Sequence, residues 1–263
     1  MEAMDLDETN LRNLLKSKAI GNNLWVFPEI ASTNDWLKDF VLRNDTPSGA
    51  LVIADFQSRG KGRMHRNWIC PPGTGLLLSL YWIPRLSISQ WPLYTMAAAM
   101  AVYDLLSKVA SDSGDVRFKW PNDILVGDKK ICGILAETAT ARGIVIGIGL
   151  NVLQDQSQLP DDQTTSVAVW TNRKPQRLQV LLQLLSQLEH RFLQVDQGQV
   201  VELLDEISQM GLKKGSKIRV QIGTHTLTGT YQGLSPSGTL KLQTQDGLVH
   251  ELATVDKLTH IEP

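Results

Sequence analysis

Apolar residues fall into three kinds of pattern along the chain. The first is the short, nearly continuous run. Trp25–Ile30 predicts a short strand, and Ala50–Phe56 (ALVIADF) and Leu76–Trp82 predict strands covered on both faces. Val116–Trp120, Ile124–Val126, Lys130–Glu137 and Gly143–Val152 predict four more, parted by a Pro121-Asn122-Asp123 break and a Gly127-Asp128 turn. The second pattern is helical. Trp36, Leu37, Phe40 and Val41 follow Ser32-Thr33-Asn34, whose hydroxyls suit a helix start. Ile88–Ala110 is apolar on several faces and predicts a long helix under a sheet. Leu178, Leu181, Leu182, Leu185, Leu188 and Phe192 predict a helix over Gln176–Val195, and Val200–Gln209 a shorter one. The third pattern begins after Gly211, where KIRVQI, TLTGTYQ, TLKLQT and LVHEL alternate with Gly, Ser-Pro and Asp-Gly turns. That spacing predicts a small β-barrel or sandwich.

These elements describe an α+β chain in three parts. Residues 1–23 form a polar lead-in with one turn around Leu11, Leu14 and Leu15, 24–210 a main mixed-sheet domain, and 211–263 a β-module. Gln154–Thr165 is a polar loop, and no repeat of ~20–50 residues is visible.

Composition narrows the function classes. With 263 residues, 42% hydrophobic and 20% charged, the chain is an ordinary globule with length enough for a sizeable core. A net charge of −1 argues against a nucleic-acid surface. Two cysteines, Cys70 and Cys132, make neither a disulfide framework nor a thiolate zinc site, and read as small buried hydrophobes. With no spanning apolar run and an acidic start, MEAMDLDETN, the expectation is a cytoplasmic protein without a membrane segment.

Against that balance, residues 57–67 hold Arg59, Lys61, Arg63, Arg66 and His65 with no acid, interleaved with Gly60 and Gly62. The run reads either as a solvated loop or as a loop folding its N–H groups and cations onto a phosphate-bearing ligand. It joins two buried strands and ends in Trp68, which favours the second reading. It is neither a Walker loop nor a dinucleotide fingerprint. A second cluster is Lys119-Trp120-Pro121-Asn122-Asp123 with Lys130-Ile131-Cys132-Gly133. It reads as a polar hairpin turn, or as a site where Asn122 offers a donor and an acceptor, Asp123 a carboxylate and Lys130 a point charge. Ser32-Thr33-Asn34 reads as a helix cap or an anion site, which are compatible. Gly147-x-Gly149 lies inside an apolar strand and reads as a place of close approach.

In order and spacing, Ser32-Thr33-Asn34, Gln57-Ser58-Arg59-Gly60-Lys61-Gly62-Arg63-x-x-Arg66-x-Trp68, Lys119-Trp120-Pro121-Asn122-Asp123, Lys130-x-x-Gly133-Ile134-Leu135-x-Glu137 and Gly147-Ile148-Gly149-Leu150-Asn151 resemble biotin protein ligases over about residues 25–170. Where that family runs Gly-Arg-Gly-Arg-x-Gly-Arg, this chain has Lys61 for the first Arg and His65 for the third Gly. About two dozen residues precede Trp25, too few for the winged helix of some bacterial members. The resemblance therefore implies the monofunctional class, with no DNA partner.

It also implies a class II aminoacyl-tRNA-synthetase-like catalytic domain, a mixed central sheet flanked by helices, with a small C-terminal SH3-like β-barrel. The implied reaction is attack of the biotin carboxylate on the α-phosphorus of ATP, giving biotinyl-5′-AMP, then transfer to a lysine of the biotin carboxyl carrier protein of acetyl-CoA carboxylase. No enzyme nucleophile is required. The family places Ser32, Thr33, Asn34, Gln57, Gly60, Lys61, Gly62, Arg63, Lys130 and Gly133 around biotin. It places Arg63, Trp68, Asn122, Lys130 and Asn151 on ATP, and Lys130, Arg63 and Asp123 at the chemistry, with Mg2+ on the phosphates and no protein metal ligand. Lipoate ligation on the same fold, and a biotin-sensing regulator without catalysis, are the rival readings. A homodimer is left open, because Gly143–Val152 reads equally as an edge or a central strand.

Overall fold

The computed structural model describes residues 6–109 and 116–261. The first helix, α1 (Glu8–Leu14), is capped by Asp7, whose carboxylate accepts from the Asn10 amide, and buries Leu11 while leaving Leu14 exposed. The strand β1 (Leu24–Ile30) follows. The helix α2 (Thr33–Arg43) starts at Ser32, whose hydroxyl accepts from the Asp35 amide at 3.4 Å. Next come β2 (Ala50–Gln57), β3 (Gly75–Trp82) and α3 (Pro92–Val109). The expected Ile88–Ala110 helix begins instead as a 3-10 turn at Ile88–Gln90, because Pro92 suits a first helical turn but not an interior. Its expected last residue, Ala110, lies outside the described residues. The strands β4 (Val116–Lys119), β5 (Asp123–Val126), β6 (Lys129–Thr140) and β7 (Gly143–Asn151) complete the main sheet.

This seven-stranded sheet has the order β1-β2-β3-β7-β6-β5-β4, parallel only between β1 and β2. Between the two readings of Gly143–Val152 the structure decides for the centre: β7 lies between β3 and β6. The burial of β3 on both faces explains its unbroken apolar run. One face is covered by α3, where the small residues Ala97, Ala98, Ala99 and Ala101 allow close packing. Behind α3 lie α5 (Arg177–Asp196) and α6 (Val200–Met210), joined to it by Arg191, which pairs with Asp104 at 2.7 Å and Glu206 at 2.7 Å. A five-residue helix, α4 (Val167–Thr171), was not legible in the sequence.

The chain then forms β8 (Lys217–Ile222), β9 (His225–Leu234), β10 (Leu240–Thr244), β11 (Val249–Leu252) and β12 (Lys257–His260), an antiparallel sheet of order β11-β10-β9-β8-β12. Four of these strands match the expected stretches. The strand β12 was missed, since Lys257-Leu258-Thr259-His260 carries little apolar signal. The module is not held at arm's length. Trp120 Nε1 donates to Gly238 O at 3.2 Å, and Ile218, Val220, Tyr231 and Leu242 share one apolar core with Leu93, Met96 and Phe118.

Candidate active site

The sheet face opposite α3 opens into a cavity of about 400 Å3. Its floor is glycine. Gly133 and Gly149 are directly opposed across β6 and β7, and the Trp68 ring occupies the space their side chains would take. A Cβ on Gly149 would lie 2.4 Å from that ring, and one on Gly147 would lie 2.2 Å from Asn34 Oδ1. Close approach is thus the reason for these glycines, as their place inside an apolar strand predicts.

One end of the cavity is a buried polar chain. Gln57 Oε1 accepts from the Thr33 amide at 2.7 Å and the Thr33 hydroxyl at 2.9 Å. The Ser79 hydroxyl lies 2.7 Å from Thr33 Oγ1 and 2.6 Å from Asn34 Oδ1. With one proton, Ser79 donates to one of them at a time. Asn34 Nδ2 donates to Leu135 O and, at 2.9 Å, to Glu137 Oε2, whose partner oxygen pairs with Lys38 at 2.7 Å. The first helical turn of α2 is thereby tied to β2, β3 and β6. Ser79 is not among the residues singled out in the sequence, and Glu137 enters there only as the end of the Lys130-x-x-Gly133-Ile134-Leu135-x-Glu137 motif, without a role. The single serine among the apolar and aromatic residues of β3 is the available signal for Ser79.

The basic loop folds as a closed hairpin. The Trp68 amide donates to Gly60 O at 2.9 Å, Lys61 bridges Asn67, and the Gly62 amide donates to Arg66 O at 2.7 Å. At its tip Met64 has φ 56°, a left-handed conformation that favours glycine. Gly60 does not line the cavity. A Cβ there would lie 2.6 Å from Trp68 O, so this glycine lets the hairpin base close. Lys61 lines the cavity wall, with its ammonium held by Asp35 at 2.6 Å. Arg63 donates to Asn122 Oδ1 at 3.0 Å, to Val255 O at 2.9 Å and to the Thr254 hydroxyl, joining the loop to the β4–β5 turn and the C-terminal module. Burial lowers its pKa from the ordinary guanidinium value; Asp123 and Asp256 oppose the shift, and the nearby Arg66 adds to it.

Asn122 is fixed from both sides, since its Nδ2 donates to Ile134 O at 2.7 Å. Lys130 pairs with Asp123 at 2.7 Å and stands 5.5 Å from the Trp68 ring centre. The Asp123 oxygen makes no aligned hydrogen bond, so the pair is Coulombic. The Lys130 backbone is clamped by the polar loop, its amide donating to Gln163 O and its carbonyl accepting from Thr165. Asn151 does not line the cavity. Its amide group donates to Thr165 O at 3.0 Å and accepts from Gln154 at 3.0 Å, bracing the loop that clamps Lys130. Trp68 Nε1 is buried with no acceptor among the described residues, which leaves a donor for a ligand. Cys132 is fully buried, and burial pushes its thiol pKa up, so it is no nucleophile. Cys70 is likewise buried.

Known proteins fit this arrangement. The model of the Biotin/lipoate A/B protein ligase family matches residues 26–151. The chain is 33% identical over 252 residues to the bifunctional ligase/repressor BirA of Bacillus spizizenii, covering 92% of this chain and 76% of that protein. The chain belongs to the biotin protein ligase family. It is also 30% identical over 241 residues to the biotin–[acetyl-CoA-carboxylase] ligase of Mycobacterium tuberculosis, covering 90% of each. The biotin protein ligase of Aquifex aeolicus, solved in complex with biotin and ATP, superposes with a TM-score of 0.77 at 26% identity, over 91% of this chain and all of that one. The mixed sheet with flanking helices is that family's fold, and the C-terminal five-stranded sheet is consistent with an SH3-like module. Among the described residues no helix is long and apolar enough to cross a membrane.

Proposed function

We propose that this protein activates biotin as biotinyl-5′-AMP and transfers it to a lysine of the carrier domain of acetyl-CoA carboxylase. The observation that carries this reading is the cavity's polarity. A hydroxyl and amide row, Gln57, Thr33 and Asn34, lines one part, backed by the buried Ser79, and the cations Lys130 and Arg63 line another. Biotin has the matching halves, a ureido ring that both donates and accepts, and a carboxylate. The Trp68 ring, seated on Gly133 and Gly149, offers an apolar wall to its ring and chain.

In this reading Lys130 and Arg63 bring the biotin carboxylate and the α-phosphate of ATP together, two anions that repel in water. They also stabilise the charge that builds on phosphorus during attack. Asp123, released from Lys130 when phosphate takes that partner, is placed to accept a proton from the incoming lysine amine. Trp68 bounds the biotin pocket on one side and, with Asn122, faces the nucleotide on the other. The carboxylates lining the cavity are already engaged, Asp123 by Lys130 and Asp256 by the Gly223 amide at 2.6 Å. Among the described residues no cluster of His, Cys, Asp or Glu could cage a metal, and in this reading magnesium enters as part of the Mg·ATP substrate.

The relatives named as biotin–[acetyl-CoA-carboxylase] ligases favour this acceptor, and a cytoplasmic location is part of this proposal. The test is mass spectrometry of a carrier domain incubated with the protein, ATP and biotin, with lipoate in a parallel arm. A biotin-sized mass gain on one lysine is expected. Modification by lipoate alone, or none, would overturn the reading.

A further inference from the structure

Glu137 has no part in the reaction as proposed and does not line the biotin cavity, yet its carboxylate stands directly behind that cavity's polar row. One oxygen holds Lys38 Nζ at 2.7 Å and the other accepts from Asn34 Nδ2 at 2.9 Å. Leu135 O lies 3.2 Å from the same nitrogen. A carboxylate and a carbonyl only accept, so an Asn34 amide turned over would set its oxygen against two acceptors. The nitrogen therefore faces Glu137 and Leu135, and the oxygen faces Ser79 above Gly147.

This orientation gives the row a direction. Asn34 Oδ1 only accepts, so the fully buried Ser79 hydroxyl, 2.6 Å away, is drawn to donate to it. The proton of Thr33 stays inside the row, on Gln57 Oε1 at 2.9 Å or on Ser79 at 2.7 Å. Thr33 Oγ1 then receives no proton from Ser79, and its lone pairs are left for an N–H in the cavity that Thr33, Asn34 and Gln57 line. Gln57 is set independently: the Thr33 amide donates to its Oε1, and its Nε2 makes no hydrogen bond among the described residues. The row so directed offers acceptors at Thr33 and a donor at Gln57, the complement of a ureido ring with its N–H and C=O groups.

We infer that Glu137, with Lys38 as its counter-ion, is a positioning residue for biotin that acts through Asn34 and Ser79. This rests on the reading of the cavity as a biotin site. Glu137→Gln exposes the device. The introduced amide has one oxygen for two partners, and the ammonium of Lys38 claims it, because a charge-assisted bond is the stronger. An NH2 then faces Asn34, whose amide turns over and donates to Ser79. Ser79 must donate to Thr33, which meets the ureido N–H as an acceptor already engaged, beside an Asn34 amide turned the wrong way.

The test is titration calorimetry of the full chain with biotin. Glu137→Gln should bind about tenfold more weakly, the scale of one buried hydrogen bond made wrongly. Lys38→Met added to Glu137→Gln frees the introduced oxygen for Asn34 and should bring affinity back to within about twofold of wild type. In a Ser79→Ala background, Glu137→Gln should cost less than about twofold, because the relay is already cut. In turnover, Glu137→Gln should raise the KM for biotin and leave kcat and the KM for ATP unchanged. Wild-type biotin affinity in Glu137→Gln overturns the inference. So does a double variant as weak as Glu137→Gln alone, an undiminished loss in the Ser79→Ala background, or an equal rise in the KM for ATP, each of which marks Glu137 as merely structural. A wild-type chain that binds no biotin overturns the biotin reading itself, and the inference with it.

Discussion

Lys130 and Asp123 form an ion pair of 2.7 Å beside a β-bulge between β5 and β6. The bulge sets Leu125 opposite Lys130 and Ile124 opposite Cys132, so Ile131 is left without a partner and the lysine is re-aimed into the cavity. Both side chains are about a quarter to a third exposed, so the pair is available to ligands and contributes little to stability. Lys130→Ala should therefore stay folded, with a melting temperature near wild type, and lose most adenylate formation. Pyrophosphate release at the wild-type rate in the folded variant would refute the assignment.

Arg63 ties three elements together and faces the site. Its removal takes away a charge-assisted contact worth on the order of 1.5–3 kcal/mol and the link from the hairpin to Thr254 and Val255. We expect Arg63→Gly to form biotinyl-5′-AMP more slowly, with Lys130 still in place, and to release it roughly thirtyfold faster, the equivalent of about 2 kcal/mol. Filter-binding release of preformed adenylate, with albumin present as a bystander, measures both escape and stray labelling. Retention equal to wild type, or no synthesis at all, contradicts this role.

Gly149→Ala puts a methyl 2.4 Å from Trp68. The indole must move, and with it the apolar wall of the pocket. The expected outcome is at least tenfold weaker biotin binding, read by calorimetry. Adenylate transfer to the carrier should suffer less once the site is saturated. Unchanged biotin affinity would mean that Trp68 does not bound the biotin pocket.

The hairpin at 60–68 carries four trypsin sites: Lys61, Arg63 and Arg66 within it and Arg59 at its edge. Biotin with ATP should protect them, because an anion neutralises the cations and holds the hairpin to the cavity. Equal cleavage at Arg63 or Arg66 with and without ligands would count against closure over the ligand.

The C-terminal module shares its core with the main domain, so its removal is not neutral. A chain ending at Gln209 would uncover Phe118, Trp120, Leu93 and Met96, apolar side chains now in or beside that shared core. A lower melting temperature and weaker ATP binding are expected, with biotin binding the better preserved. Full transfer activity in the shortened chain would show the module to be dispensable.

Much of the cavity's lining is legible in the sequence. Ser32-Thr33-Asn34, the basic loop, Asn122, Asp123, Lys130 and Gly133 are local signals, each set by short-range backbone or charge requirements, and the cavity brings these segments together. Ser79 went unnoticed because a single serine in an apolar strand has no sequence neighbour to explain it. Its partners, Thr33 and Asn34, lie 46 and 45 residues away. Asn151 reads as a ligand residue beside Gly149, yet its side chain turns to Thr165 and Gln154.

By itself the sequence determined the strands and helices with strong periodicity, the positions that must be glycine, and the local excess of cations, since each follows from residues close together in the chain. Only the tertiary structure decided that β7 is central, that Lys61 turns to Asp35 rather than standing free, and that Arg63 reaches Thr254 across 191 residues. The placement of Lys257 in the cavity belongs with these. Such contacts depend on how two sheets pack through a shared core, and packing is settled by shape and burial over the whole chain rather than by any local pattern.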